Sequence, residues 1–201
     1  MTAQPTKAEK KAFWRELHQR HPGVRQAIAE DVRVTSLHRG EGSQELSGLK
    51  LFFRAIQLAW VTDAFFALAC YRLRMRMKAR GIPVLPTVLH KLSMASAQVS
   101  IGDPVHLAPG MYFPHGQMVI DGLVHIQGDT VIAPWVSIGL VSGNHKGPDI
   151  GTHCFIGSGA KLLGPMNIGN GVKVGAGSVV TRDVPDGATV VGIPAKEVGN
   201  K

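Results

Sequence analysis

Residues 150–180 read IGTHCFIGSGAKLLGPMNIGNGVKVGAGSVV, and an aliphatic residue stands at every sixth position of this stretch. The members of the series are Ile150, Ile156, Leu162, Ile168, Val174 and Val180. A strand repeats every two residues and an α-helix every 3.6, so neither element alone explains a period of six. A second apolar or small residue often precedes a member of the series by two positions, and a glycine often follows it by one.

The six-residue unit describes one short strand followed by a corner. Residues two apart in a strand point to the same side, and glycine accepts the backbone angles of a tight turn. When such units stack, their inward residues form a continuous buried column, which is the signature of a parallel β-helix of hexapeptide repeats. About three units per coil give the cross-section of a triangle.

The same period begins upstream and contains two irregularities. It runs through Ile101, Leu107, Phe113 and Val119, then resumes one residue late at Ile126, Ile132 and Ile138. The next step, from Ile138 to Ile150, is twelve residues, and the polar Asn144 stands at the missing position. We therefore expect one extra residue between Val119 and Ile126, and a loop over residues 140–149.

Residues 1–98 have the pattern of helices instead of the repeat. Candidate helices cover residues 7–23, 24–37, 46–80 and 85–97, with Gly and Pro at several of their ends. The expected fold is α+β, with an N-terminal α-helical cap and oligomerisation region over 1–98, a β-helix over 99–181 and a C-terminal cap or tail over 182–201. The ends of a solenoid need such covers.

The net charge of +8 is concentrated in the helical half. Residues 1–98 contain 16 Lys and Arg against 7 Asp and Glu, whereas residues 99–201 contain 6 against 7. No nucleic-acid-binding motif accompanies this charge, so we expect a solvated helix surface or attraction for an anionic substrate, and no nucleic-acid partner.

Three further features bear on the cellular setting. The two cysteines, Cys70 and Cys154, have no paired spacing, so no disulfide framework is expected. No apolar core follows the charges of the N-terminus, which predicts a cytoplasmic protein without a secretory signal. The apolar stretch 49–70 contains Lys50, Arg54, Gln57 and Asp63, so we expect a helix buried against other helices or other subunits, with peripheral membrane contact as the less favoured alternative.

The segment IGSGAKLLGPMNIGNGVKVGAGSVVTRDVPDGATVVGIPAK (156–196) resembles the C-terminal part of the hexapeptide-repeat acyltransferases. The resemblance is greatest to the serine O-acetyltransferases, including their shorter relatives in polysaccharide gene clusters. It is strong over residues 99–198 and extends weakly to YRLRMRMKARG (71–81). It implies a left-handed β-helix, acetyl-CoA as the donor, and a homotrimer with sites between adjacent subunits. Helical caps could pair two trimers into a hexamer.

His115, in MYFPHGQMVIDG (111–122), is the first candidate for a catalytic residue. Acyl transfer from a thioester to a hydroxyl needs a general base near neutral pH, and histidine is the usual one. His115 stands two residues after Phe113, which places it at a corner facing outward, and the family has its catalytic histidine in a matching segment. We predict that His115 deprotonates the acceptor hydroxyl, which attacks the thioester directly. The alternative is a solvated corner residue.

His145 is the second candidate, because loops on rigid scaffolds often carry function. Related sugar acetyltransferases have their catalytic histidine in a similar loop, and the serine enzymes have a substrate-contacting histidine nearby. An exposed loop histidine is the alternative. His106, His125 and His153 lack such a context, and we assign them no role.

The donor site is assigned by the same resemblance. Gly139, Gly157 and Ser158 would line the groove for the pantetheine arm of acetyl-CoA, while Lys173 and Lys196 would approach the CoA phosphates as point charges. An ordinary exposed lysine is the alternative for Lys173. No metal is expected, since no two histidines have the H-x4-H spacing of carbonic-anhydrase-like trimers with the same β-helix.

Several positions depart from the serine acetyltransferase pattern. Ser100 stands fifteen residues before His115, where an Asp usually orients the base, and Asp103 or Asp121 could take over that function. Pro114 replaces an Asp that meets the amino group of serine, and Asn144-His145 stand near the place of an Arg-His pair that meets its carboxylate. The acceptor is therefore serine, another amino alcohol or a sugar hydroxyl. A non-catalytic assembly or binding module is the alternative from a different class.

Overall fold

The computed structural model describes residues 13, 16, 19–42 and 46–199 of the chain. Four helices come first: α1 (Val24–His38), α2 (Gly48–Val61), α3 (Asp63–Ala79) and α4 (Leu85–Ala97). Fifteen short strands follow: β1 (Val99–Ile101), β2 (His106–Leu107), β3 (Met111–Tyr112), β4 (Met118–Ile120), β5 (Leu123–Ile126), β6 (Thr130–Ile132), β7 (Ser137–Gly139), β8 (Lys146–Ile150), β9 (Phe155–Ile156), β10 (Lys161–Leu163), β11 (Asn167–Ile168), β12 (Lys173–Val174), β13 (Val179–Val180), β14 (Thr189–Gly192) and β15 (Ala195–Val198).

The strands form the predicted parallel β-helix. Up to β13, each strand pairs with the strand three places further along the chain, and β12 then pairs with β14. The three resulting sheets have the orders β1-β4-β7-β10-β13, β2-β5-β8-β11 and β3-β6-β9-β12-β14-β15. We call them sheets A, B and C. All pairings are parallel except the last, in which β15 folds back antiparallel on β14 and ends sheet C. Apart from Val119, the hexad residues and those two positions before them fill the buried interior as expected, from Val99 and Ile101 to Ser178 and Val180.

The extra residue of the repeat lies at a different place from the one predicted. Met118 and Ile120 are buried, whereas the side chain of Val119 points outward and is 50% exposed. The seven-residue step therefore runs from Phe113 to Ile120, and the extra residue belongs to the corner that contains His115. The sequence prediction was wrong here because Val119 is itself apolar and hid the change of phase.

The predicted loop over residues 140–149 is too long. Strand β8 already begins at Lys146 and pairs with β5 and β11, so the connection after β7 comprises only residues 140–145. Pro148 is buried, two residues before Ile150, and thus fills the inward position that the repeat demands. Asn144 accepts a hydrogen bond from the backbone N–H of Lys146 at 2.9 Å, which closes the short loop.

Two candidate helices, over 24–37 and 85–97, are confirmed as α1 and α4, and most of the candidate over 7–23 lies outside the described residues. The single helix expected over 46–80 is wrong, because Thr62 is extended (φ −137°, ψ 111°) and separates α2 from α3. Both the hydroxyl and the backbone N–H of Thr62 donate to the carbonyl of Leu58 at this junction. None of the described helices is long and apolar enough to span a bilayer.

Helix α3 joins the helical region to the first coil. Its buried residues Ala64, Ala67, Leu68, Tyr71 and Met75 belong to the same apolar cluster as the interior of the β-helix. The chain passes from α4 into β1 through Gln98, whose left-handed conformation (φ 53°) ends the helix. The helices thus cover the first coil and stand directly beside the corner that contains His115.

A buried ion pair fixes α1 and α3 on that first coil. The Arg72 guanidinium donates to both carboxylate oxygens of Asp31, at 2.9 and 3.0 Å, and also to the carbonyls of Leu107 and Ala108. One oxygen of Asp31 accepts the backbone N–H groups of Gly110 and Met111, each at 2.9 Å. Although burial by itself lowers the pKa of Arg72, the Asp31 carboxylate beside it more than offsets this and raises it.

Candidate active site

The corner that carries His115 is shaped by a close approach between two backbones. A Cβ on Gly116 would lie only 1.8 Å from the carbonyl oxygen of Ala97, so no other residue fits there. The same carbonyl accepts the N–H of Gln117 at 2.8 Å, and Gln117 takes a left-handed conformation (φ 59°). With its neighbour held against the end of α4, the His115 side chain is exposed at the corner, as predicted.

His115 lines a cavity of about 530 Å³ between the helices and the β-helix. Its walls come from four places: the residue after α1, the junction of α2 and α3, the end of α4, and the stacked corners of the first coils. The lining residues are Arg39, Val61, Thr62, Asp63, Ala64, Ala95, Ser96, Ala97, Gln98, Pro114, His115, Gly116, Gln117, Pro134 and Trp135. The volume of the cavity falls within the range of sites for small molecules.

Both signs of charge face this cavity. Arg39, directly after α1, supplies a guanidinium that also contacts Glu41 at 3.0 Å. Asp63 supplies an exposed carboxylate from the first turn of α3. Gln98 adds an amide, and Trp135, which is 62% exposed, adds an aromatic surface. Sequence reasoning missed these residues, because each enters the cavity from the end of a helix or from the neighbouring coil.

The residues considered as orienters of His115 lie elsewhere. Ser100, Asp103 and Asp121 line a second cavity, of about 350 Å³, beside sheet A. Asp103 forms ion pairs there with Lys78 and Arg74. The idea that Asp103 or Asp121 orients His115 is therefore not supported: neither lines the His115 cavity.

His145 does not share a cavity with His115 in a single chain. It lies in the short loop between sheets A and B, whereas His115 lies at the corner between sheets C and A. The His145 carbonyl accepts the N–H of Leu123 at 3.1 Å, and its side chain is exposed. The two histidines thus occupy different corners of the triangular coil.

Two of the predicted donor residues stack on the His115 corner. Gly157 and Ser158 form the corner between β9 and β10, two coils beyond His115. A Cβ on Gly157 would lie 2.7 Å from backbone atoms of Val174 and Ala176, so a side chain has no room. The carbonyl of Ser158 accepts the N–H of Gly177 at 2.8 Å, which continues the stack of corners.

The remaining predicted donor residues are spread over two sides of the β-helix. Gly139 ends β7, next to the loop of His145. Lys173 on β12 and Lys196 on β15 are exposed residues of sheet C, and Lys196 also lines a cavity of about 280 Å³ with Arg182 and Asp183.

The two cysteines lie away from this chemistry. Both are buried, and burial raises the pKa of the Cys70 and Cys154 thiols. Because the thiolate is the reactive form, burial and a raised pKa make both thiols poor nucleophiles. In the described part of the chain, no cluster of three His, Cys, Asp or Glu residues is arranged to hold a metal ion.

The repeat and its relatives define the class of protein. The family model described as "Hexapeptide repeat of succinyl-transferase" matches residues 149–182. The chain is 38% identical over 138 residues to a serine acetyltransferase of Synechococcus elongatus, an alignment that covers 67% of this chain and 56% of that protein. It is 34% identical over 136 residues to a serine acetyltransferase of Helicobacter pylori, covering 66% of this chain and 79% of that protein. The Escherichia coli serine acetyltransferase is 34% identical, and the chain spans half of its length.

Solved structures agree with this assignment. A serine acetyltransferase in complex with cysteine has a TM-score of 0.75 at 27% identity, covering 92% of this chain and 73% of that one. A soybean serine acetyltransferase complexed with serine has a TM-score of 0.71 at 28% identity, covering 91% and 72%. A complex of a serine acetyltransferase with CoA has a TM-score of 0.72 at 26% identity, covering 91% and 73%. The chain has the β-helix of the hexapeptide-repeat acyltransferases. Within that class, it belongs to the serine acetyltransferase family.

Proposed function

We propose that this protein is an acetyl-CoA-dependent O-acetyltransferase in which His115 is the general base. The observation that carries the proposal is the exposed imidazole at the mouth of a polar cavity in a member of the serine acetyltransferase family. The CoA complex of a related structure supports acetyl-CoA as the donor.

The reaction needs a single direct transfer. The neutral imidazole of His115 accepts the proton of the acceptor hydroxyl while that oxygen attacks the carbonyl carbon of the thioester. The C–S bond then breaks, the sulfur takes the proton back from the imidazolium and leaves as the free thiol of CoA, and the acetyl group remains on the acceptor as an ester. Since both cysteines are buried, the proposal includes no acyl-enzyme intermediate.

The pantetheine arm of acetyl-CoA would lie along the stacked corners. Gly157 and Ser158 sit on the column of corners that leads to His115, and the absence of a side chain at Gly157 lets the next coil pack directly against this corner. Gly139 lies at the corner of His145, so it would line this groove from the adjacent subunit. Lys173 and Lys196 would meet the phosphates as exposed cations of sheet C.

A homotrimer would complete the site. His115 and His145 occupy different corners of one coil, so a site that uses both needs two copies of the chain. Packing three triangular prisms around one axis brings a corner of each copy beside a different corner of the next. His145 of one subunit would then contact the acceptor held near His115 of its neighbour. Pairing of two trimers into a hexamer stays open.

The acceptor would be a small zwitterion such as serine, or another amino alcohol. Asp63 offers a carboxylate for an ammonium group, and Arg39 offers a guanidinium for a carboxylate. Asp63 would thus bind the amino group that Pro114 is unable to bind. Arg39 would bind the carboxylate that Asn144 is unable to pair with. A sugar hydroxyl is the second candidate, because the exposed indole of Trp135 in the same cavity suits the apolar face of a sugar ring.

The test is release of free thiol from acetyl-CoA with L-serine, a series of amino alcohols and a series of sugars. Thiol release with serine or an amino alcohol, lost in Asp63→Asn and in Arg39→Gln, supports the zwitterionic acceptor. Release with sugars alone, lost in Trp135→Ala, assigns the second candidate. No release with any acceptor, together with no retention on immobilised CoA, contradicts the proposal.

A further inference from the structure

Helix α2 exposes a continuous row of large apolar side chains. Leu49, Phe52, Phe53, Ile56 and Trp60 are between 51% and 88% exposed, and Trp60 is the most exposed of them. Their spacing of three, four and seven residues places them on one side of the helix. We call these five residues the α2 apolar face. The opposite side of α2 is buried through Leu51 and Leu58, in a cluster with Val32 and Phe65.

This face is larger than folding requires. Apolar residues scattered singly on a surface are ordinary, but a contiguous exposed patch marks a contact site. The residues that the structure describes leave all five side chains open to solvent. The expected burial of stretch 49–70 against other helices holds for the α3 part, where Ala64, Phe65, Ala67, Leu68 and Cys70 are buried, whereas the outer side of α2 stays exposed in the single chain.

The margins of the α2 apolar face are basic. Lys50, which directly follows Leu49 in α2, is exposed, and Arg25 of α1 lines an apolar groove together with Phe52. Helix α2 contains no acidic residue, and residues 1–98 carry a net charge of +9. Phenylalanine, tryptophan and leucine on one side with lysine and arginine beside them are the composition of a helix that lies in a membrane interface.

The charge pattern selects the partner. Lys50 and Arg25 beside the face are stabilised by negative charge placed opposite them, which favours an anionic partner. An anionic lipid surface attracts those charges and accepts the apolar side chains beneath its headgroups. The tryptophan at the most exposed position suits the boundary between headgroups and acyl chains.

We infer that the α2 apolar face docks this protein on the surface of an anionic membrane, with α2 parallel to the bilayer plane. The contact is peripheral, because none of the described helices can cross a bilayer. The sequence favoured burial of stretch 49–70 and left peripheral membrane contact as the alternative, and the exposed α2 apolar face supports that alternative. It concerns binding alone and is independent of the acetyl-transfer proposal.

The experiment measures co-sedimentation of the full chain with two kinds of vesicle: phosphatidylcholine alone, and phosphatidylcholine mixed with phosphatidylserine. We expect binding to the mixed vesicles that weakens as salt is added. Phe52→Ser and Phe53→Ser should each reduce the partition coefficient by roughly tenfold. Leu92→Ser is the matched control, since it removes an exposed leucine (45%) from α4 and should leave binding unchanged.

A second readout follows Trp60 directly. The chain has three tryptophans, so the double variant Trp14→Phe/Trp135→Phe reports on Trp60 alone. Its emission should shift to shorter wavelength when mixed vesicles are added. The inference is overturned if emission is already that of a buried indole without vesicles. It is also overturned if Leu92→Ser weakens binding as much as Phe53→Ser does, or if Phe53→Ser changes the oligomeric state while the parent protein binds neither kind of vesicle.

Discussion

Replacing Asp31 with asparagine is expected to destabilise the fold strongly. Asp31 and its partner Arg72 are 1% and 4% exposed, and the carboxylate satisfies both the guanidinium and two backbone N–H groups. An asparagine can still accept those two N–H bonds through its carbonyl oxygen. Its NH2 group, however, then faces the guanidinium, so the buried positive charge loses its counter-charge.

The magnitude follows from the surroundings of Arg72. Removing one partner of a buried ion pair costs about 3–5 kcal/mol, because the other charge stays buried and uncompensated. Arg72 retains the carbonyls of Leu107 and Ala108, which favours the lower end of that range, about 3 kcal/mol. For a chain of this length, that corresponds to a decrease in melting temperature of about 6–12 °C.

The matched control is Asp129→Asn, which weakens the ion pair between Arg33 and Asp129. Those side chains are 28% and 38% exposed, so the cost should be about 0–1 kcal/mol. Asparagine also tolerates the left-handed conformation of Asp129 (φ 54°). Urea and thermal unfolding of both variants, at one protein concentration, measure the difference. If Asp31→Asn falls within about 1 kcal/mol of Asp129→Asn, the reasoning from burial is refuted.

Three further predictions test the coil and its corners. Gly157→Ala should raise the dissociation constant of acetyl-CoA and lower the free energy of unfolding by about 1–3 kcal/mol, since its Cβ would lie 2.7 Å from backbone atoms. An unchanged dissociation constant in calorimetric titration, together with an unchanged melting temperature, would contradict this. Lys173→Ala and Lys196→Ala should each raise KM for acetyl-CoA by up to about fivefold at low salt without lowering kcat, and a loss confined to kcat would exclude a phosphate contact. Burial lowers the pKa of His106 below its ordinary 6.5, and the neighbouring His125 lowers it further. As the pH falls through 6.5, this histidine is therefore protonated more readily in the unfolded chain than in the folded one, and the free energy of unfolding decreases. His106→Gln should lose less stability between about pH 7 and pH 5 than the parent protein, and parallel curves would rule this out.

The period of six predicted the β-helix because it reports directly on which side chains face inward. It could not locate the extra residue, since Val119 is apolar although it points outward. Residues 46–80 likewise read as one helix, because the break is confined to the backbone of a single residue, Thr62. Such features arise from particular contacts and leave the hydrophobic pattern unchanged.

The candidate site was predictable only where it lies on the repeat. His115 could be placed at a corner from its distance to Phe113, and the structure brings it to a cavity. Arg39 and Asp63 reach the same cavity from the ends of separate helices, and no spacing in the sequence connects them with His115. The buried pair of Asp31 and Arg72 was also invisible, since its two members are 41 residues apart.

The most direct test of the central claim compares the parent protein with His115→Ala in the release of thiol from acetyl-CoA. The measurement uses the best acceptor, and the affinity for acetyl-CoA is determined in parallel. The account predicts that turnover falls by about 10²–10⁴ while the melting temperature and the dissociation constant of acetyl-CoA stay unchanged. Turnover equal to that of the parent protein would contradict the assignment of His115 as the general base.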